Sequence, residues 1–150
     1  MVDTESRRSK ATASPAAPKI EFLILADKAE VLGNKLYMMG GCWDRVQIPK
    51  FPALYPLAVA MRVRFPDNDP RDDHSVEVTI REGDSEPSVT FGYQLVRQSA
   101  PIGGLPLVAV FALPMIATMN TPGRYVVEAK IDTSERAAMD FLVEQSPASS

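Results

Sequence analysis

The chain reads as all-β, an antiparallel β-sandwich of about eight strands. Three observations lead there. Apolar and polar residues alternate at period two in one segment after another, and turn residues punctuate the chain about every 10 to 15 positions. No stretch longer than a turn carries the 3.6-residue period of an amphipathic helix. Strand number alone leaves immunoglobulin-like, C2-like and jelly-roll topologies open.

Residues 1–18, MVDTESRRSKATASPAAP, are rich in Ser, Thr, Ala and Pro and lack an apolar run, so they are expected to be disordered. The sandwich is expected over residues 19–144, with 145–150 as a second disordered tail. Ile20 to Ala26 is apolar apart from Glu21, the composition of a strand covered on both faces. Gly33-Asn34 lies between Val31-Leu32 and the run Leu36 to Met39, where two residues tolerant of positive φ can close a hairpin. Gly40-Gly41 ends the second strand and marks a bulge or a close approach of another segment to the backbone. Trp43, Asp44 and Arg45 follow directly.

From Gln47 to Pro56, the prolines at 49, 52 and 56 predict an extended connection without a regular ladder, pinned by Phe51 and Tyr55. Leu57, Val59, Met61, Val63 and Phe65 then share one strand face, with Ala58, Ala60, Arg62 and Arg64 on the other. Pro66 to Asp73 is a turn-rich acidic loop. Beyond it, Val76, Val78 and Ile80 alternate with Glu77, Thr79 and Arg81. Glu82-Gly83-Asp84 turns the chain into a strand lined by Val89, Phe91, Tyr93 and Leu95. Leu105 to Met119 is the most apolar run, and its Val-rich middle favours a strand buried on both faces. After the turn Asn120-Thr121-Pro122-Gly123, the segments Arg124 to Ile131 and Arg136 to Val143 predict a final hairpin.

The focal segment carries a resemblance. Leu25-Ala26-Asp27, Ala29, Val31, Lys35-Leu36, Gly40-Gly41, Trp43, Asp44 and Arg45 are similar to the pattern of a family of small uncharacterised bacterial proteins, a domain of unknown function. The likeness extends to Pro122-Gly123-Arg124-Tyr125 and on through Phe141, and departs at Cys42, where glycine or another small residue is expected. The resemblance implies a bacterial β-sandwich without assigned activity and names no catalytic residue.

With 150 residues, 45% apolar and 23% charged, the chain suits one ordinary globular domain. Its net charge of −3 is unevenly spread: Arg7, Arg8, Lys10 and Lys19 against Asp3 and Glu5 give residues 1–19 a charge of +2 and the remainder −5. An acidic domain without a basic stripe argues against nucleic acid as a partner. No h-region follows the two arginines and no run of about 18 apolar residues occurs, so no transmembrane segment is expected and the cytoplasm is the expected location. Cys42 is the only cysteine; it cannot form an internal disulfide and is expected to be a small buried residue.

Chemistry is sparse. His74 is the only histidine, and its neighbours Asp73 and Ser75 fall on the opposite strand face, so they cannot relay protons to it; a surface position is expected. One His and one Cys exclude a zinc site, and no nucleophile elbow, P-loop or dinucleotide fingerprint occurs, so no cofactor and no enzymatic activity are expected. Asp67, Asp69, Asp72 and Asp73 supply hard oxygen donors between two strands, as in calcium-binding sandwiches, although Arg71 opposes a cation there. These observations favour a non-catalytic module that binds another protein or copies of itself, with Trp43, Arg45, Phe51 and Tyr55 as contact residues. A calcium-dependent ligand or membrane-surface module is the alternative, and a small enzyme with an unidentified carboxylate site comes third.

Overall fold

The computed structural model describes residues 17–67, 69, 71, 73–96 and 107–147. Nine strands and no helix occur among them: β1 (Lys19–Leu32), β2 (Lys35–Gly41), β3 (Arg45–Ile48), β4 (Ala53–Phe65), β5 (Asp73–Glu82), β6 (Pro87–Val96), β7 (Leu107–Met119), β8 (Gly123–Ile131) and β9 (Glu135–Gln145). They form a four-stranded sheet in the order β2-β1-β4-β7 and a five-stranded sheet in the order β3-β9-β8-β5-β6, packed face to face. Of the expected disordered tails, 1–18 and 145–150, residues 1–16 and 148–150 lie outside the described residues, whereas Pro18 is buried ahead of β1 and Gln145 still belongs to β9.

The period-two faces anticipated for β4, β5 and β8 are the ones that meet. Leu57, Val59, Met61, Val63 and Phe65 of β4 pack with Val76, Val78 and Ile80 of β5 and with Tyr125, Val127, Ala129 and Ile131 of β8, all at most 2% exposed. Phe141 and Val143 of β9 and Met115, Ala117 and Met119 of β7 close this core. Each fully buried large side chain here is worth about 1.5–3 kcal/mol. The Tyr125 hydroxyl donates to the Thr121 carbonyl at 2.7 Å, keeping its one polar atom satisfied inside the core.

Several expectations need correction. Arg45–Ile48 forms a ninth strand that pairs parallel to β9, so the second sheet is mixed. Of the residues expected to form an irregular connection, 53–56 already belong to β4, because only Pro49 and Pro52 interrupt the backbone; Pro56 is carried inside the strand. β7 is an edge strand rather than one buried on both faces, since nothing beyond β4 pairs with it among the described residues, and Ile116 stands 61% exposed. β1 runs unbroken through 14 residues, and within Ile20 to Ala26 only Leu25 and Ala26 are fully buried.

Candidate functional site

The hairpin β1–β2 is closed by Gly33 and Asn34 at φ 57° and 60°, the paired positive values of a type I′ turn. At its other end Gly40 also takes φ 60°, and a Cβ there would collide with the Asp27 carboxylate. Only glycine lets that side chain lie against the backbone. The Cys42 N–H then donates to the Leu25 carbonyl at 2.8 Å, so Leu25-Ala26-Asp27 and Gly40-Gly41-Cys42 run side by side. Cys42 is exposed at φ 67°, contrary to the buried position expected of it. The left-handed backbone explains why glycine suits this position.

Trp43 follows as an edge of the core. Its ring stands edge-on to Tyr55 at 6.3 Å and to Phe141 at 5.9 Å, and its Nε1 is buried without an acceptor among the described residues. Burial, and then the negative charge of Asp27, raise the Tyr55 pKa above 10.0, so its hydroxyl stays protonated.

Beyond Ala26, paired with Ala58, β1 and β4 part company. The arm of β1 from Lys28 to Leu32 pairs only with β2. Between the arm and the sheet opens a groove of about 860 Å³, walled by Asp27–Glu30, Tyr37–Met39, Pro56–Ala58 and Pro114–Ile116. Met39 at 70% exposure, Ile116 at 61% and nearby Leu54 at 72% give this region large uncovered apolar side chains.

At the opposite end of β4, His74 is 2% exposed rather than on the surface. Its Nδ1 lies 2.6 Å from Asp132 Oδ2 and its Nε2 2.7 Å from Asp69 Oδ2, with the Phe65 ring 5.6 Å from the imidazole. Arg71 approaches Asp132 at 3.6 Å, the Arg71 N–H donates to Asp69 Oδ1, and the Ser75 N–H donates to Asp132 Oδ1. Burial pushes the His74 pKa down, but the hydrogen bonds to Asp132 and Asp69 and the charges of both carboxylates outweigh it, and the net shift is upward from 6.5. For Asp132, burial works upward and is overcome by the His74 and Ser75 hydrogen bonds and the charges of His74 and Arg71; its pKa falls below 3.8. The cluster is a buried ionic clasp joining the loop before β5 to the β8–β9 turn.

The model of a family of unknown function, DUF6941, matches residues 21–144. The chain belongs to that family. No curated protein matches it. The matched span takes in all nine strands of the DUF6941 domain, from within β1 to within β9, and with them the groove and the clasp.

Of the contact residues expected in this DUF6941 chain, Trp43 and Tyr55 touch, and Phe51 packs against the same core. Arg45 stands apart on β3, exposed and 3.5 Å from Glu144. Among the acidic residues, Asp67 and Asp73 are exposed, Asp69 is turned inward onto His74, and Asp72 lies outside the described residues. Among the described residues, no group of three or more His, Cys, Asp or Glu side chains is placed to hold a metal ion, and no helix is long and apolar enough to cross a membrane. Sequence reasoning passed over Met39, Leu54 and Ile116, which hydrophobicity alone assigns to the core, and Asp132, which lies 58 residues from the histidine it holds.

Proposed function

We propose that this DUF6941 domain is a non-catalytic protein-interaction module that accepts an extended apolar segment of another protein in the groove between the β1–β2 arm and strands β4 and β7. The observation that carries the reading is the uncovered apolar lining of Met39 and Ile116 in an open groove of about 860 Å³, with exposed Leu54 nearby. The groove also exposes one side of β4 from Ala53 to Leu57, where β1 no longer pairs, so main-chain groups are available to an extended chain. A non-catalytic role is supported by the sole imidazole, which is buried and engaged at both ring nitrogens and therefore unavailable as a base to a bound molecule.

The test is selection of a random peptide library on the immobilised full chain, followed by affinity measurement of the recovered peptides on two variants. Ile116→Arg places a charge in the groove lining and is expected to abolish binding; Arg45→Ala, on the far sheet, is expected to leave it unchanged. Recovery of no specific peptide, or binding indifferent to Ile116→Arg, would overturn the reading.

A further inference from the structure

A sheet edge presents unpaired amides and carbonyls, and folded proteins ordinarily disarm it with proline, charge or brevity. Two of the four edges here are treated this way: β7 carries Pro114 and β3 is only four residues long. β6 has a proline only at its first residue, Pro87, and β2 has none. From Leu36 to Gly41 β2 holds no charge and no proline, and Tyr37, Met38 and Met39 are 50%, 38% and 70% exposed. Its partner there, the β1 arm beyond Ala26, is itself paired with nothing else among the described residues, and a two-stranded ribbon is marginally stable in water.

We propose that β2 pairs antiparallel with β2 of a second copy of this chain, about a twofold axis at Met38, joining the two four-stranded sheets into one. The register follows from the hairpin. A two-residue type I′ turn makes Leu32 and Lys35 the closing hydrogen-bonded pair, and the alternation of an antiparallel ladder then directs the main chain of Tyr37 and Met39 toward β1. The amides and carbonyls of Leu36 and Met38 are left on the free edge, so Met38 of one copy can exchange both hydrogen bonds with Met38 of the other.

Charge favours a second copy in this orientation. The turn end of β2 is basic at Lys35, and the glycine end is acidic, with the Asp27 carboxylate against Gly40 and Asp44 just beyond. Antiparallel pairing about Met38 sets each Lys35 opposite the partner's Gly41, beside that acidic end. It also holds the two Lys35 residues about 20 Å apart along the strand, further than the screening length of about 8–10 Å. Tyr37 of each copy meets Met39 of the other, forming one apolar strip across the joint. A closed twofold contact consumes both free edges and stops growth at two chains.

The experiment is the mass of the full chain by sedimentation, at concentrations up to about 1 mM, for the wild type, Met38→Lys, Met38→Glu and an equal mixture of the two variants. The wild type is expected to approach twice the chain mass of 16.4 kDa. Each variant alone places like charges opposite each other on the axis and is expected to run at the single-chain mass; the mixture is expected to return to the double mass. Circular dichroism checks that both variants keep the strand content of the wild type, and each serves if the other misfolds. A wild type monomeric at every concentration, a double mass that survives both substitutions, or a mixture that stays monomeric would each overturn the pairing. A monomer leaves the groove reading standing, because that rests on the face of the sheet and on peptide selection.

Discussion

Replacing His74 by Gln tests the clasp most directly. The substitution removes the imidazolium that lies 2.6 Å from Asp132 and 2.7 Å from Asp69, and leaves two carboxylates facing one another. The Asp69 side chain is 1% exposed and that of Asp132 15%, so water cannot take over as the partner. Removing one member of a buried ionic set costs about 3–5 kcal/mol. Arg71, 3.6 Å from Asp132 but itself largely exposed, recovers little of that. For a domain of this size the loss corresponds to about 10–20 °C in melting temperature. The pH dependence gives a second, independent signature. Folding raises the His74 pKa above 6.5, so the stability tied to that proton is fully present below 6.5 and is lost as pH rises through the folded-state value. Folding lowers the Asp132 pKa below 3.8, so its contribution is present above 3.8 and is lost as pH falls through the folded-state value. Urea midpoints of the wild type should therefore fall from about pH 6 to pH 9, while His74→Gln should be less stable and nearly flat over that range. As the only histidine, His74 gives a single set of imidazole proton resonances whose titration midpoint should lie above 6.5. A midpoint at or below 6.5, or a Gln variant as stable as the wild type at pH 6, would refute the ionic clasp.

Further outcomes follow from the packing. Trp43→Ala should destabilise the domain by about 3 kcal/mol in urea unfolding, since it empties the space between Tyr55 and Phe141, while leaving peptide binding in the groove intact. Lost binding in a folded Trp43→Ala protein would return that residue to the contact surface. Gly40→Ala should cost about 1–3 kcal/mol, from the positive φ and the collision with Asp27; adding Asp27→Ala should recover part of it, and purely additive effects would show that the contact does not matter. Excess calcium or chelator should leave the melting temperature unchanged, because Asp69 is already engaged with His74 and Arg71. A rise of several degrees with calcium would reinstate the acidic loop as a metal site.

The sandwich was legible because alternation at period two survives in β4, β5, β8 and β9, and the residues sharing parity are those that meet in the core. Two features escaped for a physical reason. β3 has only four residues and takes its stability from a parallel ladder with β9, nearly 100 positions away, which leaves no local pattern to read. The clasp joins partners 5 and 58 residues from His74, whereas sequence neighbours at 73 and 75 lie on the wet face. A signal for its burial was present nonetheless, since His74 shares parity with Val76, Val78 and Ile80. For the outer face of the first sheet, composition misleads. Leu54 and Ile116 are as apolar as their buried neighbours, but their parity sets them on the face of the first sheet turned away from the second.

The divergence of β1 from β4 begins beside Pro56. Pro56 opposite Ile116 and Pro114 opposite Ala58 share a parity along the β4–β7 ladder, which is tolerable where both nitrogens face away from that ladder. Pro56 then faces β1. The β1–β4 pairing ends at Ala26 and Ala58: Pro56 has no N–H to donate on that side, and the main chain of Lys28 is already turned to Met39 of β2. The groove begins at this step. Pro56→Val should restore the missing donor on the β1 side of β4 and draw the β1 arm toward it, adding about 0.5–1.5 kcal/mol for the regained hydrogen bond. Hydrogen exchange would show this as protection of the new amide at position 56 and of Ala29, whose main chain faces β4, accompanied by loss of peptide binding as the groove narrows. If the variant instead gains no protection and binds peptide as before, the arm is held open by something other than the proline, and the ladder argument for the groove fails.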